Sequence, residues 1–373
     1  MKFLFRLRLP LLLCVTLLLG NTFAGTTFDW DGSAGVLWSN QDNWTPQAPV
    51  GGPQNNDVVR FPNGVANQTN TNDLAANIDL TVQFTGGNYT ITGTNELDLN
   101  GNVTVTAGTH TYNGIIDLNG NRDFAISAGA QLTLPNILTG GNDVSKSGTG
   151  TLVLAGANTY TGTTSITGGI LEAQSANALG TVGTNTTVTA GAQLAISGGI
   201  VSDEPLILNG TGITTTGALL NVSGSNEFSN TISLASNSSV GSTAGTLLLS
   251  DTISGSGLEK VGAGTVQLSG SNTYAGTTTV TTGVLLVTNN TGLGTTAGDT
   301  TVAAGATLQL QGGIAIPIGE DITLNGVGAG TGALFNDGNN SVAGVITLGS
   351  AAIIGSTTGT LTLTGGITGT QDL

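Results

Sequence analysis

The sequence predicts an all-β repeat protein, a solenoid of short stacked strands. Glycine occurs 60 times in 373 residues, charged residues make up 8%, and no stretch combines a sustained helical period with helix caps. Short β-prone runs are separated by glycines, as in Thr151–Leu154, Thr163–Ile166 and Ile170–Ala173. No run is long enough to form a sheet alone, so each can bury its apolar side only by stacking on an equivalent run.

Residues 1–24 have the features of a secretory signal peptide. A basic start precedes the apolar run Leu9–Leu19, which is shorter than the roughly 20 residues of a membrane-spanning helix. Small residues at the end of the segment suit cleavage before Gly25. Lipid attachment at Cys14 is the alternative, but Leu13 is bulky where a lipoprotein signal has a small residue. We therefore expect an exported mature chain with no membrane span.

The mature chain is strongly acidic. Removal of the signal leaves four Lys and Arg against 22 Asp and Glu, a formal net charge of 4 − 22 = −18, and no cysteine. Such a chain is a poor partner for nucleic acid and for anionic membrane surfaces. Export usually permits disulfides, so something other than disulfides must hold this fold together.

Residues 25–70 differ from the rest of the chain and are predicted to form an N-terminal cap. They contain four of the eight prolines and all three tryptophans, Trp30, Trp38 and Trp44. The open end of a solenoid exposes apolar core and strand edges, which aromatic side chains and prolines can cover. Two alternatives stay open. The indole rings could be stacking platforms for a sugar, or calcium could bind the carboxylates of Asp29, Asp31, Asp42 and Asp57, although these lack the spacing of a known calcium loop.

Residues 71–143 are predicted to form the first coils. Asp98–Asn102 recurs as Asp117–Asn121, a step of 117 − 98 = 19 residues, and its Asn and Gly tolerate the left-handed angles of a tight corner. Alternating runs such as Gln131–Leu134 and Thr360–Leu363 direct apolar side chains inward and polar ones outward. Coils of ~20 residues would give ~17 coils and a rod of roughly 80 Å at the ~4.8 Å spacing of stacked strands.

Two long tandem units follow, residues 144–257 and 258–371. Several residues return 260 − 146 = 114 positions later: Lys146, Asn158, Tyr160 and Gly162 as Lys260, Asn272, Tyr274 and Gly276. The register slips by one or two residues near Asn209 and Asn325 and then recovers. Each unit would span five or six coils, and stability would grow as neighbouring coils are added.

The duplicated motif resembles a known family. Gly-Thr-Leu-x-Leu-x-Gly-x-Asn-Thr-Tyr-x-Gly-x-Thr within Lys146–Ala173, with its counterpart in Lys260–Val287, is similar to the autotransporter-associated β-strand repeat. This is the passenger-associated transport repeat of bacterial secreted and surface proteins. The resemblance implies a right-handed parallel β-helix that is exported and displayed outside the cell. It implies no catalytic, cofactor-binding or metal-binding residues.

The resemblance implies a non-catalytic stalk or adhesin, secreted or on the outer cell surface, with surface glycans or other extracellular matrix components as partners. The alternative is a β-helix protein that binds or degrades polysaccharides. Whether the chain is a passenger fragment, a freely secreted form or a protein exported by another route stays open. Because no capping segment follows the last strand, Thr360–Thr364, we also expect end-to-end self-association.

Few residues of the mature chain could perform catalysis. His110 is its one histidine, and its strand-like run predicts an outward or rim position. Two adjacent acidic pairs, Asp203–Glu204 and Glu320–Asp321, occupy nearly equivalent places in the two units, each with a proline nearby. Duplication favours structural corners over the paired carboxylates of a glycosidase. Lys146 and Lys260 are also duplicated and are expected to flank the coils. We predict that the chain is not an enzyme.

Overall fold

The chain folds as a long stack of short strands. A computed structural model describes residues 25–65, 67–93 and 95–373, so the predicted signal peptide, residues 1–24, lies outside the described residues. The described residues contain forty strands, a 3-10 turn at Gln41–Asn43 and no α-helix. Over the same stretches, no helix has the length and apolar character that crossing a membrane requires.

The strands are numbered in chain order. Those before the first long unit are β1 Thr27–Trp30, β2 Trp44–Thr45, β3 Asp57–Phe61, β4 Thr69–Thr71, β5 Asp79–Phe84, β6 Thr90–Thr92, β7 Leu97–Leu99, β8 Val103–Val105, β9 Thr109–Asn113, β10 Ile116–Leu118, β11 Arg122–Ile126, β12 Gln131–Leu134 and β13 Leu138–Thr139. Those of the first unit are β14 Val144–Ser147, β15 Thr151–Leu154, β16 Thr164–Ile166, β17 Gly169–Ala173, β18 Thr186–Val188, β19 Ala192–Ile196, β20 Val201–Ser202, β21 Leu206–Gly210, β22 Leu219–Asn221, β23 Ser225–Phe228, β24 Ile232–Ser242, β25 Thr246–Leu249 and β26 Ile253–Gly255. Those of the second are β27 Leu258–Val261, β28 Thr265–Leu268, β29 Thr278–Val280, β30 Gly283–Val287, β31 Thr300–Val302, β32 Ala306–Gln311, β33 Ala315–Ile316, β34 Ile322–Gly326, β35 Leu334–Asp337, β36 Asn340–Val342, β37 Ile346–Ala352, β38 Ile354–Thr358, β39 Leu361–Leu363 and β40 Ile367–Thr368.

The strands pair in parallel along three columns, which are the three faces of the solenoid; β1 and β2 pair antiparallel. The first face runs through β14, β16, β18, β21, the start of β24 and β26. The second runs through β15, β17, β19, β22, the end of β24 and β27. The third includes β20, β23, β25 and β28. The chain visits the faces in turn, and the predicted all-β, parallel solenoid is confirmed.

A continuous apolar core runs inside the stack. In β15 the burial changes from the half-exposed Thr151 to the fully buried Leu152 and Leu154, while Val153, on the same side of the strand as Thr151, is also buried. Leu154 lies level with Leu134 on the coil before and with Ala173 on the coil after. These stacked side chains form ladders through the core, so the predicted inward side of this strand is confirmed.

The coils are longer than the sequence period predicted. The stack has about 15 turns, fewer than the ~17 that coils of ~20 residues would give. The step from Lys146 to Ile166 is 166 − 146 = 20 residues, but the step from Leu208 to Leu234 is 234 − 208 = 26 residues. Residues in loops that leave the ladder lengthen a coil without adding height to the stack.

The three tryptophans cover the core beside the first strands. Trp30, Trp38 and Trp44 are at most 2% exposed and pack around Phe61, with the Trp30 and Trp44 ring centroids 5.1 Å apart, edge to face. Every indole N–H donates a hydrogen bond at 2.8–2.9 Å. Buried rings offer no face on which a sugar could stack, so this packing favours the cap over the sugar-binding alternative. Strand β3 of this segment already pairs in parallel with β5.

The strands of the two long units follow each other in the same order, except that β24 of the first corresponds to β37 and β38 of the second, and the units begin on different faces. On the first face, the ladder from Lys146 to Gly255 takes five steps of one coil each. The second unit then begins with β27, which stacks on the end of β24 and therefore lies on the second face. Equivalent residues of the two units are thus separated by five coils and one further face. Equivalent residues such as Lys146 and Lys260 are consequently displaced around the solenoid axis.

We predict that Leu154→Asp destabilises the protein strongly and that Thr151→Asp is tolerated. Leu154 is 0% exposed, so an aspartate there is either protonated or an unpaired buried charge, at a cost on the order of several kcal/mol. Thr151 is half-exposed in the same strand. Urea unfolding followed by circular dichroism measures both effects, and equal losses of stability would show that the two sides of β15 are assigned wrongly.

Candidate functional site

The duplicated motif forms a set of contacts between neighbouring coils. Asn158 is 1% exposed. Its Oδ1 accepts a hydrogen bond from the backbone N–H of Leu138 at 2.8 Å, and its Nδ2 donates to the backbone oxygen of Ala178 at 2.6 Å. Asn272 makes both bonds again in the second unit. One amide therefore joins three successive coils at a corner.

Tyr160 fills the core next to this amide. Its hydroxyl bonds to Thr164 Oγ1 at 2.6 Å, and Thr164 in turn donates to the backbone oxygen of Leu179 at 3.3 Å. Tyr274 and Thr278 repeat the arrangement. Burial raises the pKa of both tyrosines, so the phenols remain protonated and serve as hydrogen-bond donors.

The motif glycines lie where the backbones of successive coils approach closely. A Cβ on Gly162 would be 2.2 Å from the backbone of Asn142, and one on Gly276 would be equally crowded by the coil before it. Gly169 has φ of 65°, in the left-handed region that favours glycine, and its Cβ would be 2.4 Å from the backbone oxygen of Gly150. Close packing of coils accounts for these glycines without any ligand.

The prediction that Lys146 and Lys260 flank the coils is wrong. Their side chains are 0% and 1% exposed, and Lys146 stands in a core ladder between Phe124 and Ile166. At 2.8, 2.9 and 3.0 Å, its Nζ donates to the backbone oxygens of Ser147, Gly148 and Gly168. Lys260 Nζ has an equivalent set of three oxygens.

Both buried amines are fully engaged by the backbone. Three carbonyl oxygens use all three donors of an ammonium group, so neither Lys146 nor Lys260 is available to a substrate. Burial nevertheless lowers the pKa of each amine to about 8. Strand alternation would have predicted the buried position of Lys146, because it follows the buried Val144 by two residues in β14 and so lies on the same side of the strand.

A second duplicated feature is a buried carboxyl. Glu204 is 3% exposed and accepts a hydrogen bond from Thr186 Oγ1 at 2.8 Å; Glu320 is 2% exposed and accepts one from Thr300 Oγ1 at 2.6 Å. Burial raises the pKa of each carboxyl to about 7. The neighbouring Asp203 is exposed. The two carboxyls of this acidic pair thus lie in different environments, one in the core and one in solvent.

The predicted outward or rim position of His110 is also wrong. Its ring is 0% exposed and stacks on Phe84 with 4.3 Å between centroids. Nδ1 accepts from the backbone N–H of Tyr89 at 3.1 Å, so Nε2 carries the proton and donates to the backbone oxygen of Ala107 at 2.7 Å. Burial lowers the pKa of the imidazole. The ring is a neutral core group with both nitrogens engaged, and its parity matches that of the buried Tyr112.

The four carboxylates considered for calcium take part in separate local contacts. Asp29 forms an ion pair with Arg60 at 2.5 Å. Asp57 accepts from two backbone N–H groups, while Asp31 and Asp42 accept from polar side chains near them. Across the described residues, no three His, Cys, Asp or Glu side chains cluster as a metal site would require.

These contacts define a β-solenoid with two motif-bearing units, and comparisons with known proteins identify the motif. The passenger-associated-transport repeat matches residues 144–173 and 258–287, so the chain carries two copies of that repeat. The Adhesin BmaC autotransporter of Brucella suis biovar 1 (strain 1330) is 40% identical over 86 residues, which cover 23% of this chain and 2% of that protein. The similarity therefore spans a small part of a much longer relative. No solved structure matches the chain.

We predict that the free energy of unfolding rises between pH 8 and about 10 and that Lys146→Met with Lys260→Met removes most of this rise. The folded amines titrate near 8 and ordinary lysine near 10.5, so between these values the unfolded chain binds more protons and stability increases with pH. The limit is roughly 3 kcal/mol per lysine. Urea unfolding at several pH values measures the slope, and a slope that the double variant retains would contradict the lowered pKa values.

We predict that the buried carboxyls, Glu204 and Glu320, make the free energy of unfolding fall as the pH rises from 4.5 to 7. Their pKa is raised from 4.5 to about 7 in the folded chain, so the stability that these two groups contribute is fully present below 4.5 and is lost as the pH rises through 7. Glu204→Gln with Glu320→Gln should flatten this part of the unfolding profile. Asp203→Asn, next to Glu204 but exposed, is the comparison variant: it removes only the smaller, charge–charge part of the rise in the pKa of Glu204 and should reduce the slope slightly. A comparison variant that flattens the slope as fully as the double glutamine variant would show that burial of the two carboxyls is not its main source.

Proposed function

We propose that the chain is a secreted, non-catalytic region, similar to an autotransporter passenger, that acts as a stalk or adhesive surface. The observation that carries this proposal is the use of the duplicated motif. Asn158 and Lys146 make hydrogen bonds to neighbouring coils, and Tyr160 bonds to Thr164 of its own coil, so the polar groups of the motif are used inside the fold. Their counterparts in the second unit make the same contacts. Such a motif builds a rod and leaves the outer surface free for partners.

The comparisons support the same role. The matched repeat is described as passenger-associated, and the similar protein from Brucella is named an adhesin and an autotransporter. Both support an extracellular or cell-surface location after removal of residues 1–24. Within the mature chain we propose a cap over residues 25–70, first coils over 71–143, and two repeat units over 144–257 and 258–371.

The negative charge of the chain limits the classes of partner that it can bind. With 22 acidic and seven basic residues, the surface repels nucleic acid and anionic membranes. Surface glycans and other extracellular matrix components are the partners we propose. Degradation of polysaccharides is less well supported, because Glu204 is buried against Thr186 while Asp203 is exposed, and a glycosidase needs two carboxyls flanking one bond.

We predict that the protein is accessible to added protease on intact source cells and that beads coated with the purified chain adhere to immobilised glycans or matrix proteins. Cell fractionation and bead counting measure the two outcomes. Beads coated with the heat-unfolded chain are the control. A protein confined to the cell interior, or folded beads that adhere no better than unfolded ones, would contradict the proposal.

We predict that the purified chain releases no products from a panel of polysaccharides. Reducing-end and unsaturated-sugar assays detect hydrolysis and elimination, respectively. Product formation that disappears in Asp203→Asn with Glu204→Gln would replace the adhesive role with an enzymatic one.

A further inference from the structure

The two repeat units carry a surface groove at the same position. In the first unit it has a volume of about 300 Å³, and four of its lining residues are Val144, Ser145, Thr163 and Ser165. In the second it has a volume of about 180 Å³, and the equivalent residues are Leu258, Glu259, Thr277 and Thr279. Each lies 258 − 144 = 114 positions after its counterpart. The groove is a product of the repeat, and the two copies differ in what lines it.

The charged side chains of the first groove make hydrogen bonds to neighbouring parts of its own wall. Asp143 accepts hydrogen bonds from the backbone N–H of Thr163 and from Asn121 Nδ2. Asp123 accepts one from Ser147 Oγ at 2.6 Å, and Arg122 Nε donates to a backbone oxygen at 2.7 Å. Asp123 Oδ1 is buried without a hydrogen-bond partner, and the described residues offer none to the hydroxyls of Ser145, Thr163 and Ser165. The two grooves therefore differ in which groups line them, and both keep polar groups without a partner.

The second groove has a different lining. The strand register aligns Arg122 and Asp123 of the first groove with Ser238 and Ser239 of the second, next to Leu258 and Glu259. Hydroxyls therefore replace the two charged side chains of the floor. The single carboxylate of this groove, Glu259, lies where the first groove has a serine.

Glu259 is held in place before a ligand arrives. Ser239 is 0% exposed and donates to Glu259 Oε2, and Thr281 Oγ1 donates to Oε1 at 2.8 Å. A carboxylate oxygen can accept more than one hydrogen bond, so each oxygen keeps acceptor capacity toward the groove. Around it lie groups with no hydrogen-bond partner among the described residues: the hydroxyls of Thr211, Thr277 and Thr279, and Asn237 Nδ2.

A strained loop follows Thr211, one of the residues that line this groove. Thr211 begins a loop in which Thr214 and Thr215 have φ of 48° and 63°, a left-handed backbone that costs a β-branched residue about 1–3 kcal/mol. The corresponding turn of the second unit uses Gly330, at φ of 104°. The two turns also differ in length, because Gly212 approaches Gly217 in the first unit whereas Gly328 approaches Gly332 in the second, one residue fewer.

The geometry points to a neutral, polyhydroxylated ligand. The lining combines a fixed carboxylate acceptor, an amide donor and hydroxyls that do both, with Leu258 as its one aliphatic side chain. A volume of about 180 Å³ is smaller than the roughly 300–1,000 Å³ of drug-sized sites, and a chain of formal net charge −15 repels anions. We propose that the second groove binds one sugar unit of a neutral glycan, whose adjacent hydroxyls donate to Glu259 and accept from Asn237. This inference rests on the adhesive role proposed above and assigns it a site.

The test is a nuclear magnetic resonance titration of the isotope-labelled whole chain with neutral glucose and galactose oligosaccharides. Saturable shifts should appear at the amides of Thr277–Thr279 and Ser238–Ser239. Glu259→Gln should weaken binding about tenfold, because it removes the charge from a hydrogen-bond acceptor. Thr279→Val should also weaken binding. Ser165→Ala, at the position of Thr279 in the first groove, is the matched control and should leave the affinity unchanged.

The absence of saturable shifts with every neutral oligosaccharide would overturn the proposal, as would equal affinity in Glu259→Gln and the parent chain. Tighter binding of an oligouronate would overturn the assignment of a neutral ligand. The bead assay separates this site from the proposed function. If Glu259→Gln loses sugar binding while beads still adhere, the groove is supported and adhesion uses another surface. If the sugar binds in the groove but beads never adhere, the groove is supported and the adhesive role is contradicted.

Discussion

Parallel pairing between successive coils is the constraint on which the rest of this structure depends. A coil of about twenty residues cannot cover its own apolar side, so each strand obtains both its hydrogen bonds and its packing from strands one coil away. The motif residues act at the points where simple pairing is insufficient. Asn158 bridges a corner that has no ladder of its own, and Gly162 permits an approach that a Cβ would block.

Polar groups are accommodated inside the stack because turns of their own coil and of adjacent coils supply their hydrogen-bond partners. Lys146 donates to two carbonyl oxygens of the turn that follows it and to one of the next coil, and Glu204 accepts from a hydroxyl of the coil before it. These hydrogen bonds do not fully offset the cost of removing the charged groups from water, since the pKa of the Lys146 amine is lowered and that of the Glu204 carboxyl is raised. An apolar replacement of Lys146 would remove the buried charge but leave three carbonyls without a donor, which has its own cost. The second unit keeps both features.

Much of the fold could be predicted from sequence because its signals are local and repeated. Glycine-bounded runs and the 114-residue period indicated the solenoid and the two units, and the clustered tryptophans indicated buried packing. The positions of His110 and Lys146 were mispredicted although strand parity pointed inward, because a polar side chain is ordinarily exposed. The partners that make burial possible, Ala107 and Gly168 among them, lie in turns whose placement the sequence does not specify. The lining of the second groove depends on the register between distant strands, and this register could not be predicted from the sequence either.

The advance of each unit by five coils and one face has a consequence for how a rod of this kind grows. If a unit comprised a whole number of coils, equivalent surfaces of all copies would face the same direction from the solenoid axis. The additional face instead rotates each copy by about a third of a revolution about the solenoid axis, because the solenoid has three faces. Successive copies are therefore arranged helically around the axis. Two adjoining copies look outward in different directions, and three would complete the circle. Lengthening such a protein by duplication therefore widens the range of directions from which a partner can be met, as well as extending its reach.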